Sequence, residues 1–199
     1  MIRKIGFFIV GLTVAVATSG QGRIEEGQRG SKRFISEKYG FSIAVPVGWL
    51  VDPSNDTPMY FSFSPAQGQE FNHQLRLPRG GAVISVVAQE DLPGPPRSLR
   101  DWAAADARGD YARDPPIRDL EMPSASGISE ALISFHDTPV FGPDDQSQHT
   151  VSIFWEFGGR RFAAHLLYPL NDPKAVRFER VLVDTVRSVR PLRKAVRGV

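Results

Sequence analysis

The chain has 199 residues, no cysteine, and 24 lysines and arginines against 22 aspartates and glutamates. A chain of this length encloses a core without covalent staples, and the missing cysteine excludes disulfides, cysteine nucleophiles, cysteine-ligated zinc and lipoprotein acylation. The small basic excess sits at the N-terminus: without Arg3 and Lys4 the count is 22 against 22, too even for a nucleic-acid partner recognised by charge.

Residues 1–20 read as a secretory signal peptide. Arg3 and Lys4 precede an uncharged run at residues 5–17, and Ala15 with Ala17, or Thr18 with Gly20, suits a cleavage site. A membrane-spanning helix needs about 20 apolar residues to cross roughly 30 Å of hydrocarbon, so this run is short for a permanent anchor. The expected location of the remainder is extracytoplasmic, either periplasmic or secreted. Residues 21–32 hold one large apolar side chain, Ile24, and are expected to form a flexible polar tether. Residues 33–191 form the expected single domain, and residues 192–199 a basic tail.

Within that domain, residues 33–37 and 41–45 are expected to be short strands joined by a turn. Phe41, Ile43 and Val45 alternate with Ser42 and Ala44, and Pro46 ends the run. Met59, Phe61 and Phe63 alternate again. Residues 81–89 are apolar almost throughout, the pattern of an interior strand covered on both faces. Ser98 and Asp101 resemble a capping box, and Leu99, Trp102 and Ala103 share one face of a helix that should end by Gly109. Residues 128–135 read as strand. Gly158 and Gly159 lie between residues 150–157 and 160–168, which predicts a two-residue hairpin turn. Pairing Phe157 with Arg160 puts Val151, Ile153, Trp155, Phe162, Ala164, Leu166 and Tyr168 on a core face. Ser152, Phe154, Glu156, Arg161, Ala163 and His165 take the other, with Glu156 opposite Arg161. Asn171 or Asp172 caps a last helix, with Pro173 in its first turn. Phe178, Val181, Leu182, Thr185, Val186 and Val189 make its apolar stripe, and Pro191 stops it.

Candidate chemistry is sparse. His73, His136, His149 and His165 include no pair at a local ligand spacing, and adjacent His136 and Asp137 should point to opposite faces of a strand. Asp144 and Asp145, with Asp137, lack the ligand spacing of a calcium loop. Ser152 and His165 fall opposite each other in the hairpin register, the beginning of a nucleophile and base pair. No G-x-S-x-G elbow presents the serine, so a hydrogen-bonded pair without turnover is expected. Arg187, Arg190, Arg193, Lys194 and Arg197 crowd the C-terminus without an acid among residues 187–199. A solvated end is expected there, with contact to anionic headgroups or an acidic partner as the alternative.

Residues 39–49, YGFSIAVPVGW, resemble the opening of PsbP-like domains, in which a Tyr-Gly-Phe strand runs into a Pro-x-Gly-Trp turn. The looser resemblance spans residues 33–191: a central apolar strand, a helix after it, a late hairpin and a C-terminal helix. It implies an α+β fold in which an antiparallel sheet is flanked by helices, an α/β/α sandwich. It implies little about activity. Photosynthetic members are extrinsic subunits of photosystem II, whereas other bacterial members are exported proteins, and no family ligand or partner residue maps onto this sequence.

The expected function is therefore an exported, non-enzymatic domain that binds another envelope protein or accompanies an envelope complex. A small-ligand or lipid carrier, using space between sheet and helix near Trp49 and Phe154, is the alternative. An envelope hydrolase built on Ser152 and His165 is the third. Trp49, Phe154, Ser152 and His165 together are the candidate groove or partner surface. No catalytic residue, cofactor or metal ligand is assigned, membrane contact is confined to the signal peptide or the basic tail, and the oligomeric state stays open.

Overall fold

The computed structural model describes residues 22–52, 59–65, 81–91, 94, 97–108, 116–138 and 147–192, with backbone only at residues 29, 52, 59–65, 91, 107, 108 and 138. The expected signal peptide, His73, Asp144, Asp145 and the basic residues Arg193, Lys194 and Arg197 lie outside the described residues. In chain order the elements are β1 (Arg23–Glu26), β2 (Lys32–Ser36), β3 (Phe41–Ala44), β4 (Trp49–Asp52), β5 (Met59–Pro65), β6 (Val83–Ala88), α1 (Leu99–Arg108), β7 (Ile117–Asp119), β8 (Ile128–Thr138), β9 (Gln148–Phe157), β10 (Arg160–Pro169), α2 (Ala175–Arg187) and β11 (Arg190–Pro191). The class is α+β, and every strand pairing is antiparallel.

Among the described residues the strands form two sheets where one was expected. Seven make a large sheet in the order β4-β5-β6-β10-β9-β8-β7, and four make a small one in the order β1-β2-β3-β11. The β9–β10 hairpin is the spine of the large sheet. Gly158 and Gly159 take φ of 60° and 74°, the left-handed conformation a two-residue turn needs at both central positions. Phe157 then pairs with Arg160, and the register runs unbroken to Gln148 and Pro169. Glu156 and Arg161 face each other at 3.6 Å, as the register requires.

Both expected hairpin faces are buried, and that divides the molecule into layers. The face bearing Val151, Ile153, Trp155, Phe162, Ala164 and Leu166 packs against the small sheet and α2. The other face receives α1, whose Leu99, Trp102 and Ala103 lie on Val87, Leu132, Phe154 and Ala163. The Tyr-Gly-Phe segment docks the small sheet on the large one. Gly40, with φ of 72°, turns the chain so that Tyr39 and Phe41 both meet Phe162 edge-on, at 5.1 and 5.3 Å between ring centroids. Arg160, at the hairpin tip, lies 5.2 Å from the Tyr39 ring and donates to the Lys38 carbonyl at 3.0 Å.

One boundary is corrected. Part of the expected tether is a strand: β1 pairs with β2, setting Ile24 opposite Phe34. Backbone ladder bonds ask nothing of side-chain polarity. The charges instead pair within and across strands, Arg23 with Glu25 and Glu37, and Lys32 with Glu26. At the other end the last two residues of the expected domain add a strand. Arg190–Pro191 joins the edge of β3, where a proline lacking an N–H is tolerated.

The helices follow their local signals. The Asp101 amide donates to Ser98 Oγ at 3.1 Å, and the Ser98 hydroxyl donates to Asp101 Oδ2 at 2.6 Å. The second helix starts later than expected: its N-cap is Lys174, without a side-chain cap, and Pro173 precedes its first turn, while Asp172 Oδ1 accepts from the Lys174 amide at 2.8 Å in the turn that leads into it. Phe178, Leu182, Thr185, Val186 and Val189 are buried, and Val181 is half-buried. Among the described residues no helix is long and apolar enough to cross a membrane.

Candidate functional site

Strand alternation assembles a polar row on the α1 face of the large sheet. His165 on β10 faces Ser152 on β9 and Ser85 on β6, and Ser152 faces Ser134 on β8. The row Ser85, His165, Ser152, Ser134 thus crosses four strands. On one side of it lies the apolar row that α1 covers. On the other, two residues along β8, lies His136. Asp106, one turn after Trp102 on α1, brings Oδ2 to 3.6 Å from His165 Nδ1.

The three serines are fully buried. Ser152 Oγ and His165 Nδ1 lie 2.8 Å apart. Among the described residues Ser85 Oγ, Ser134 Oγ and His136 Nδ1 have no hydrogen-bond partner, although buried polar groups are ordinarily paired. Burial holds the His136 imidazole below its usual range. Asp106 and Asp137 oppose that, while His165 and His149 reinforce it. Asp137 itself is engaged on the opposite face, with His149 Nδ1 at 2.5 Å, so His136 and Asp137 diverge as adjacent strand residues must.

Ser152, His165 and Asp106 bring together the side-chain types of a hydrolytic triad in another arrangement. A relay sets the serine on one ring nitrogen and the acid on the other, so that the imidazole takes a proton while the acid steadies it. Here Ser152 and Asp106 both approach Nδ1. A buried mid-strand serine is also closed to a substrate carbonyl. Among the described residues no group of three or more His, Cys, Asp or Glu side chains is gathered as a metal would need.

The other expected surface residues separate. Phe154 is fully buried, with Trp102 edge-on at 5.3 Å between centroids, and so cannot line a groove. Trp49 belongs to the opposite layer, where its ring meets Phe178 at 6.2 Å. Periodicity put Phe154 on the polar face of the hairpin but did not show that α1 covers that face. Trp49 nonetheless marks an unusual end of the molecule. Phe178 also meets Tyr168, at 5.9 Å. Among the described residues the exposed large apolar side chains are Val47, Leu50, Leu170 and Val176. All four stand within two residues of Trp49, Tyr168 or Phe178 in the sequence.

No family model matches the chain, and no curated protein matches its sequence. Solved structures do resemble it. One of them is a PsbP protein. This is the CyanoP solution structure from Synechocystis sp. PCC 6803, at 10% identity and a TM-score of 0.43 over 92% of this chain and 98% of that one. LpqN of Mycobacterium tuberculosis, described as involved in cell envelope biogenesis, matches at 12% identity and a TM-score of 0.45 over 87% and 91%. A protein from Bacteroides thetaiotaomicron VPI-5482 matches at 13% and 0.48 over 84% of this chain, which spans 50% of that protein's length. The likeness concerns the course of the chain and assigns no residue a role.

Proposed function

We propose that the chain is an exported, non-enzymatic domain of the cell envelope that works by binding another protein through the end of the molecule around Trp49 and Phe178. One observation carries this reading. Val47 is 94% exposed and Val176 is 74% exposed, yet both flank rings packed into the main core. Scattered apolar side chains on a surface are ordinary, whereas apolar side chains gathered in one region mark an interaction site. The signal-like sequence at residues 1–20 supports export. The shared ring nitrogen of Ser152 and Asp106 supports a role without turnover.

The test is photocrosslinking in cells that express the full chain, with the probe placed at Val47 and, separately, at Val176. Both positions should capture the same envelope protein, a probe at Ser129 should not, and Val47→Asp with Val176→Asp should abolish capture while the circular dichroism spectrum is unchanged. Retention of the unprocessed chain in the cytoplasm, or diffuse capture at all three positions, overturns the proposal.

A further inference from the structure

α2 packs one side against the main core through Phe178, Leu182 and Val186. At about 3.6 residues per turn, Val176, Arg180 and Arg187 fall in a line on the opposite side, with Arg177 and Asp184 beside them. All five are exposed, as is Lys174 at the start of the helix. Lys174, Arg177, Arg180 and Arg187 thus stand against one acid, Asp184, because Glu179, the other acid of α2, is bound by Tyr168.

These cations lack the partners that basic side chains have on other parts of the surface. Arg23, Lys32, Arg100, Arg160 and Arg161 each meet a carboxylate. Among the described residues Lys174, Arg177 and Arg180 meet none, and Arg187 reaches only the Glu121 carbonyl, at 3.3 Å. The first turn of α2 holds no acid, and its N-cap is Lys174. A helix N-terminus carries a partial positive charge that acids ordinarily offset, so the field there adds to that of the side chains. The exposed Val176 stands between Lys174 and Arg177.

We propose that the partner bound at the Trp49 and Phe178 end is a protein with an acidic surface, whose carboxylates pair with Lys174, Arg177, Arg180 and Arg187 beside an apolar contact with Val47 and Val176. This inference rests on the reading of that end as a protein-binding surface and adds the chemistry of what binds there.

An apolar centre with a polar rim is the ordinary plan of a protein interface, and complementary rim charges hasten encounter and set its register. Arg187 lies about 16 Å along the helix from Val176, so the rim runs down α2. Asp184 distinguishes a protein from a sheet of anionic headgroups. It stands between Arg180 and Arg187 on the same outer side. A uniformly negative surface would be repelled there, whereas a protein can set a cation or a neutral group against it.

Photocrosslinking from Val47 in cells expressing the full chain reads the contact, with the adduct yield compared between charge variants. Arg177→Glu with Arg180→Glu should lower the yield about tenfold or more, because it brings like charges together across the interface. Arg177→Gln with Arg180→Gln should lower it several-fold, and the captured peptides should be rich in Asp and Glu. Arg97→Glu with Arg100→Glu, the same change at α1 across the large sheet, should leave the yield unaltered. The urea midpoint of the reversed α2 pair should hold, since acids suit the start of a helix, and the glutamine pair keeps the test decisive if it falls. Full yield from both α2 pairs, or an equal loss in the α1 control, would overturn the acidic partner and leave the protein-binding reading standing; no adduct in the native chain would remove both. The chain purified after export should not sediment with vesicles of phosphatidylcholine and phosphatidylglycerol at physiological salt. Sedimentation that the reversed α2 pair abolishes and Asp184→Arg strengthens would assign these cations to a membrane and overturn the proposal.

Discussion

Tyr168 donates its phenolic proton to Glu179 Oε1 at 2.6 Å, tying the end of β10 to the second turn of α2. Its ring is buried and packed on Phe178. Burial first, and then the bond to Glu179, push the phenol well above its usual range. A tyrosine is neutral when protonated, so the folded protein keeps a proton that the unfolded chain releases near pH 10, the ordinary value. The contribution is full below that pH and is lost as pH rises through it. Urea unfolding should therefore show stability falling steeply above pH 10, and Tyr168→Phe should flatten that fall. At neutral pH the same substitution should cost about 1.5–3 kcal/mol, the worth of a hydrogen bond to a charged acceptor. An unchanged alkaline slope in Tyr168→Phe would place the titration elsewhere.

The junction of β2, β3 and α2 turns on Arg33. Its guanidinium donates to the Ser42 carbonyl at 3.1 Å, to Ser42 Oγ at 3.0 and 3.1 Å, and to the Ser188 carbonyl at the end of α2 at 2.7 Å. Ser188 Oγ in turn accepts the Ala44 amide at 2.7 Å and donates to the Thr185 carbonyl at 2.6 Å. Arg33→Ala should lower the free energy of unfolding by about 1–3 kcal/mol, because it strips donors from half-buried carbonyls. Arg33→Lys should restore only part, since an ammonium lacks the planar fork. Equal stability of all three proteins in urea would remove Arg33 from the junction. This junction also marks where the sequence stops being legible. The hairpin, α1 and α2 were readable because turn glycines, caps and apolar period are local. In the small sheet only β2 and β3, joined by a local turn, were readable; their outer partners, β1 and β11, were not, because they lie at opposite ends of the described chain and neither carries an apolar run. The site divides likewise. Register alone set Ser152 opposite His165, whereas Asp106 depends on where α1 lands. One signal was present: Asp106 is four residues from Trp102 and three from Ala103, on the face that turns inward.

The two apolar layers differ in what they join. The main core welds the large sheet, the small sheet and α2 into one body, and Phe178 sits within it between Trp49 and Tyr168. The second layer joins only α1 to the sheet, through Trp102 on Phe154 and a few small neighbours. Local stability follows how much buried surface must be lost for an element to open, so α1 should open while the rest stays folded. Trp102→Ala and Phe178→Ala each remove an aromatic side chain from a buried site, a loss of about 3–5 kcal/mol. That loss should be felt in different places. In Trp102→Ala the α1 amides should lose most of their protection at neutral pH, while the β9–β10 hairpin keeps its own and the urea midpoint moves little. In Phe178→Ala the hairpin, α2 and the small sheet should lose protection together and the midpoint should fall. If Trp102→Ala weakened the hairpin as much as Phe178→Ala, the two layers would be one cooperative unit, and α1 would have no separate freedom to move.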